Sequence, residues 1–339
     1  MQIAVDAMGG DHAPEAIVAG VVEAISELND VEIILVGKEK IIQEEIKKHK
    51  CRHSLISIEN ASEIIEMGES PGIALKTKKD SSIMVCARLV KEKRAQATVS
   101  AGNTGAVMGS MLMSVGRLKG ILRPAIVSII PNFSGGVTLL LDVGANVDCK
   151  PVSLLQFALM GQVYSQYILG INNPRIGILS IGEEESKGNE LTASAFPLLK
   201  ASSLNFCGNA EGRDIVNGKF DVVVCDGFVG NVVLKFGESL AEGILTFLKR
   251  ELSSTLILKL GAWLSMPAFE RFKKLVDYSE YGGAPLLGVN GVSIICHGSS
   301  SAKAIKNGIR VAAEFIRHDV NRHIEEMVIQ AEGQKAELS

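Results

Sequence analysis

Aromatic residues make up only 5% of the 339-residue chain, and tryptophan occurs once, at Trp263. There is no arginine-rich tail, no interleaving of basic with aromatic residues, and the formal net charge is -3. Nucleic acid is therefore not an expected partner. The six cysteines, Cys51, Cys86, Cys149, Cys207, Cys225 and Cys296, are scattered and form no C-x-x-C pair. That usage suits free thiols in a reducing cytoplasm rather than a disulfide framework. Cys225 and Cys296 lie in apolar runs, where a thiol behaves as a small hydrophobe. The first residues lack a basic region followed by a long apolar core, so no secretory signal is expected. The uncharged run 151–174 contains Gln156, Gln162, Gln166, Asn172 and Asn173. These favour a buried helix over a membrane span. Neither G-x-G-x-x-G nor G-x-x-x-x-G-K-[ST] occurs, and no cofactor is predicted. Gly68-Glu69-Ser70-Pro71-Gly72 matches the G-x-S-x-G nucleophile elbow in form only. The residues before it read as helix, and Pro71 follows the serine directly.

What the chain does have is alternation. Apolar runs at 2–7, 31–37, 55–59, 97–100, 175–181, 221–225 and 292–296 read as strands, with helical periodicity between most of them. Residues 125–130 and 137–141 read as an antiparallel hairpin because the link between them is short. The hydrophobic fraction of 47% and charged fraction of 22% are ordinary for a globular protein. The fold class predicted is α/β, a doubly wound, mostly parallel sheet, with 1–339 as one catalytic unit. Within it, 252–280 is an apolar-basic helical segment of different character.

Six of the strands run into loops rich in glycine with asparagine, aspartate or serine. The most pronounced is Asp221-Val222-Val223-Val224-Cys225-Asp226-Gly227-Phe228-Val229-Gly230-Asn231. A helix start after such a loop offers unsatisfied backbone N–H groups and the positive end of a dipole, which suits an anion. The bland alternative is a tight strand-to-helix turn. Lys187, beside Gly188, could hold phosphate or polarise a carbonyl. It could equally be a surface lysine offsetting Glu183, Glu184 and Glu185. Arg213 reads as an oxyanion clamp or as a partner of Glu211 or Asp214. His297 reads as an acid-base group or a turn residue. Asp142 and Asp148 form a weak metal-ligand spacing, with loop capping at least as good an account, and no metal site is assigned. No serine or cysteine is visibly joined to a histidine, so direct transfer between bound substrates is favoured over a covalent intermediate.

Taken together, Met8-Gly9-Gly10-Asp11, Ser100-Ala101-Gly102-Asn103-Thr104-Gly105, Leu141-Asp142-Val143-Gly144-Ala145-Asn146, Lys187-Gly188-Asn189-Glu190, the Asp226–Asn231 loop and Tyr281-Gly282-Gly283-Ala284-Pro285-Leu286-Leu287-Gly288 occur in an order that resembles the bacterial phosphate acyltransferases of phospholipid synthesis. The resemblance implies a homodimer with a fold akin to the isopropylmalate dehydrogenase and phosphotransacetylase group. It implies transfer of a long-chain acyl group from acyl carrier protein to inorganic phosphate. The acyl-phosphate would then pass to a membrane glycerol-3-phosphate acyltransferase. It also points to Lys187 and Asn231 as the residues of turnover; His297 stands as a further catalytic candidate on its own position at a strand end. Substrate contacts are expected from Asp6, Gly9, Gly10, Asn103, Thr104, Gly105, Asn146, Asn189, Arg213, Asp226, Gly227 and Gly230. The rival readings are a phosphotransacetylase-like enzyme using coenzyme A thioesters and a non-catalytic scaffold at the membrane.

Residues 252–276 combine Leu256, Ile257, Leu258, Leu260, Trp263, Leu264, Phe269 and Phe272 with Lys259, Arg271, Lys273 and Lys274. Gly261 and Pro267 argue for a helix pair or a kink. Two readings stand side by side: a dimer-interface or core helix pair, and an acyl groove with reversible membrane-surface or carrier-protein contact. On the second reading the contacts are Leu258, Trp263, Arg271, Lys273 and Lys274.

Overall fold

In the computed structural model, which describes residues 1–50, 53–276 and 278–337, the buried apolar runs pair into one sheet of eleven strands. These are β1 (Gln2–Asp6), β2 (Glu32–Gly37), β3 (Ile56–Asn60), β4 (Ala97–Ser100), β5 (Ala125–Pro131), β6 (Val137–Leu141), β7 (Ile176–Leu179), β8 (Phe206–Ala210), β9 (Val222–Val224), β10 (Ala284–Leu287) and β11 (Val292–Ile295). Their spatial order is β3-β2-β1-β4-β11-β10-β5-β6-β9-β7-β8. The first five are mutually parallel, and so are the last four. Between the two sets, β10 is antiparallel to both of its neighbours, and the β5–β6 hairpin is antiparallel as expected.

One consequence of this order sets the site. The two parallel sets run in opposite directions, so their carboxyl ends point opposite ways rather than to one common rim. The register compensates. Ser100 lies opposite Ile295, and Ile295 opposite Ala284. Carried through the β10–β5 pairing, that level reaches Ser128, which faces Leu140. Strands β4 and β11 therefore stop at the level where β6 stops coming the other way. Ligand-binding loops of open α/β sheets sit beyond strand carboxyl ends; here those of both halves converge mid-sheet.

Helices cover both faces. One core packs α1 (Glu15–Glu27), α2 (Glu39–Ile46), α6 (Pro151–Tyr167), α7 (Glu190–Lys200), α12 (Ala302–Arg317) and α13 (Val320–Glu337) against the sheet. The other holds α3 (Pro71–Thr77), α4 (Ser82–Lys91), α5 (Thr104–Ser114) and the short α8 (Asp214–Asn217). Helix α6 is the uncharged run noted above; Leu154, Leu155, Phe157 and Leu159 are all buried in the core. Each such side chain contributes about 1.5–3 kcal/mol. No described helix is long and apolar enough to cross a membrane.

Helix α9 (Gly227–Leu252) behaves differently, burying only Gly227 and Gly230. It leads into α10 (Leu256–Leu264), which buries nothing, and α11 (Met266–Val276). The chain bends after Leu252, where Thr255 caps α10, and again at Ser265. Gly261 lies within α10, and Pro267 occupies the first turn of α11, where its missing N–H costs nothing. Leu258, Trp263 and Arg271 are exposed on this arm, Trp263 by 68%. Lys273 and Lys274 belong to α11, but their side chains lie outside the described part of the structure.

Candidate active site

A cavity of about 360 Å³ opens where the two half-sheets meet. One wall is Thr104, Gly105 and Met108 at the start of α5. Ile126, Val127, Ser128 and Ile129 of β5 line it as well, with Val143 and Gly144 after β6. Asn231, Leu234, Lys235 and Glu238 face it from α9, and Tyr281, Gly283, Ala284, Ile295, Cys296 and His297 complete it. Polar and apolar groups thus share one enclosure, the usual make-up of a small-molecule site. The α9 arm supplies both its outgoing stem and the segment where the chain returns.

Two buried carboxylates shape the loops. Asp142, just past β6, accepts hydrogen bonds from the main-chain N–H groups of Ile126 (3.0 Å), Ala145 (3.0 Å) and Asn146 (2.7 Å), and from Asn146 Nδ2 (2.9 Å). Asp6, at the end of β1, accepts from Ser100 Oγ (2.7 Å) and the Met8 N–H (3.1 Å). Burial pushes both carboxyls up from their ordinary range, against the pull of these donors. Asp6 and Asp142 therefore organise their loops, and their oxygens are turned to protein donors. Gly9 packs against Asp6 and Gly102, so close that a side chain could not enter, and Gly10 lies against the Gly298 carbonyl.

Most of the asparagines and aspartates expected to touch substrate are caps and braces. Asn103 caps α5 by accepting from the Ala106 N–H (3.0 Å), and its amide donates to the carbonyls of Met67 (2.9 Å) and Glu69 (3.0 Å). Asn189 caps α7 in a capping box with Thr192. Asn146 donates to the Pro124 carbonyl at 2.7 Å. Around Gly230, where main-chain amides are expected to face an anion, three of the first donors have protein acceptors. The Gly227 N–H donates to the Asn146 carbonyl (2.7 Å), Val229 N–H to Asp226 Oδ1 (2.9 Å), and Gly230 N–H to the Asp226 carbonyl (3.0 Å). The start of α9 is already capped, and by a carboxylate. At α5, Thr104 and Gly105, whose first-turn N–H groups have no acceptor within their own helix, are lining residues of the cavity.

Of the three catalytic candidates, Asn231 and His297 line the cavity. The loop after β6 lies beside the first: a Cβ at Gly144, whose φ is +137°, would make an ordinary contact with Asn231 Cγ at 3.7 Å. The His297 ring is held through Nδ1 by the Ser299 hydroxyl at 2.8 Å. Lys187 sits on an exposed loop after β7, outside the cavity lining. Its carbonyl accepts from Ser180 Oγ (3.1 Å) and Asn209 Nδ2 (3.3 Å). Arg213 is also outside the lining and pairs with Glu211 (2.8 Å) and Glu183 (3.4 Å), close to the bland alternative.

Sequence reading missed Ser128, Lys235, Glu238 and Tyr281 in the cavity. Lys235 could have been found, because four residues from Asn231 places it on the same helix face. Tyr281 lies within a glycine-rich motif that carries no acid-base signal; burial, and after it Glu280, pushes its hydroxyl up, which keeps it a donor. Cys296 has its thiol pushed up to about 12 by burial, so it offers no thiolate.

A family model described as "Fatty acid synthesis protein" matches residues 1–323. A phosphate acyltransferase of Heliobacterium modesticaldum is 55% identical over 97% of this chain and 98% of its own length. One from Geotalea daltonii is 54% identical, covering 96% and 94%. Among solved structures, a phosphotransacetylase from Streptococcus pyogenes aligns with a TM-score of 0.61 at 18% identity, covering 96% of this chain and 94% of that one. At that identity the likeness shows the fold.

Proposed function

Because this chain belongs to the phosphate acyltransferase family and is an acyltransferase of fatty acid and phospholipid synthesis, we propose that it moves a long-chain acyl group from an acyl carrier protein thioester to inorganic phosphate, forming an acyl-phosphate. The observation that carries this reading is the mixed character of the cavity. Asn231, His297, Tyr281 and the first turn of α5 at Thr104 and Gly105 line the same space as Met108, Ile129, Val143 and Leu234. An anion and the acyl end of a thioester fit side by side there.

In the proposed step, an oxygen of HPO₄²⁻ attacks the thioester carbon. The C–S bond breaks, and the departing sulfur takes the proton that phosphate gives up, so no external base is needed. Positioning is then the main demand. Asn231 donates to the carbonyl oxygen as negative charge grows on it, and His297 relays the proton to sulfur. Losing one oxyanion donor costs roughly 3–4 kcal/mol, or ~100–1,000-fold in rate. Asn231→Ala is the test: turnover falls by that factor in a protein with wild-type melting behaviour. Near-normal turnover removes Asn231 from the chemistry. Lys187→Ala in the same assay decides whether the loop cation after β7 acts on the reacting groups.

The α9–α11 arm enters the proposal as the surface that meets an acyl chain, a membrane face or the carrier, with the product handed to a membrane acyltransferase. What supports this is its run of exposed apolar residues, among them Leu256, Ile257 and Trp263. The homodimer expected from the family would use part of the same arm.

A further inference from the structure

We propose that Lys235 is the cation that holds the phosphate dianion, and that Glu238 competes for it when phosphate is absent. This inference rests on phosphate being a substrate.

The argument starts from what is already spent. At the start of α9 the N–H groups of Gly227, Val229 and Gly230 all have protein acceptors, and the Asp226 carboxylate occupies the positive end of the dipole. A dianion brought there meets a fixed negative charge, so side chains must supply the compensation. Among the described residues that line the cavity, Lys235 is the one lysine or arginine. It stands one helical turn beyond Asn231, so its ammonium and the Asn231 amide serve the same space. Across the cavity, the start of α5 presents Thr104 and Gly105. A phosphate between them meets a point charge on one side and neutral donors on the other.

Lys235 pairs with Glu238 at 3.0 Å, an i,i+3 pair whose side chains are 56% and 36% exposed. Such an exposed pair is weak and screened by solvent. A dianion with three acceptor oxygens is a stronger partner for the ammonium than a single carboxylate. Phosphate entry therefore exchanges one ion pair for another, while Glu238, itself in the lining, repels an anion that fails to engage Lys235. A purely structural pair would stabilise α9 locally and have no preference for phosphate.

The test measures phosphate binding without a thioester, by thermal shift and ³¹P line broadening, with chloride at matched ionic strength as control. Wild type should be stabilised by phosphate over chloride. Lys235→Ala should lose that stabilisation, Lys235→Arg should keep most of it, and Glu238→Gln should gain. In turnover, Lys235→Ala should raise the KM for phosphate by about tenfold or more, as loss of a charge-assisted hydrogen bond does, with the KM for thioester little changed. Phosphate binding by Lys235→Ala equal to wild type, a weakened Glu238→Gln, or no phosphate effect on wild type would each overturn the assignment. A protein that binds phosphate through Lys235 yet releases no carrier thiol would instead remove the acyl-transfer reading and leave the anion site standing.

Discussion

Two glycines on α9 offer the same substitution with opposite expected outcomes. Replacing glycine by alanine inside a helix gains about 1 kcal/mol from propensity alone. At Gly237 nothing lies within 4 Å of the added Cβ, so that gain should appear in full. At Gly230 the Cβ would run into the Asp142 carbonyl oxygen, with the carbonyl carbon and Cys225 Sγ each at 2.9 Å. These are backbone and buried atoms that cannot rotate away, so the stem of α9 has to shift. Overpacking of this kind costs about 1–3 kcal/mol, and for a contact with fixed backbone the upper part of that range applies. The net effect is a loss of about 1–2 kcal/mol. Unfolding entropy near 2.1 cal/mol/K per residue gives ~0.7 kcal/mol/K for this chain, so 1 kcal/mol moves the midpoint by ~1.4 °C. Gly237→Ala should melt ~1–2 °C higher with unchanged turnover, and Gly230→Ala ~1–3 °C lower. Because Asn231 follows Gly230 directly, a displacement of about 1 Å should also cut turnover by ~100-fold. Differential scanning calorimetry and a thiol-release assay read the two effects. A Gly230→Ala variant that melts higher, or that keeps its turnover, would refute the claim that this contact positions Asn231.

Three further outcomes are expected. Burial pushes the Asp221 carboxyl up, but hydrogen bonds from the Arg175 side chain (2.8 and 3.0 Å) and N–H (2.7 Å) outweigh it and hold it below its ordinary value of 3.8. A depressed carboxylate stabilises the fold above that value and loses its contribution as pH falls below it. The stability gap between wild type and Asp221→Asn should therefore be full at neutral pH and close under acid titration below about 3.8; a gap that widens would contradict the pairing. Asn103→Ala removes a helix cap and two bonds that pin the chain before α3, and should cost about 1–3 kcal/mol in denaturant unfolding, whereas a neutral result would dismiss its bracing role. Trp263→Glu should abolish flotation with anionic liposomes if the exposed arm meets lipid, and equal, negligible binding by two folded proteins would dismiss that contact.

The strands legible in the sequence were the ones rich in β-branched residues, such as β1, β2 and β9. Strand β10 escaped because Gly283 and Pro285 look like a loop, although Pro285 sits in a short antiparallel strand. Strand β8, Phe206-Cys207-Gly208-Asn209-Ala210, lacks an apolar run. Direction was invisible as well: hydrophobic period says that a segment is a strand but not which way it runs. The opposed half-sheets thus emerged only from the register. At the site, the same physics produced both success and error. Asparagine and aspartate before a helix can bind a ligand or cap the helix, and the residue types are identical in the two cases. For Asn103, Asn189 and Asp226 the structure places the side chain on its own helix. Asn231 lies one turn further in, beyond the cap, and its side chain faces the cavity instead. Lys235 belongs to none of the loop motifs, because it sits in the body of a helix.

The central claim is that phosphate itself is the acyl acceptor in this cavity, and its most direct measurement is release of free carrier thiol from long-chain acyl carrier protein as phosphate is titrated. Thiol should appear only with phosphate, one acyl-phosphate formed per thiol, and Asn231→Ala should suppress both together. Thiol release that ignores phosphate, or that occurs with coenzyme A thioesters alone, would contradict it.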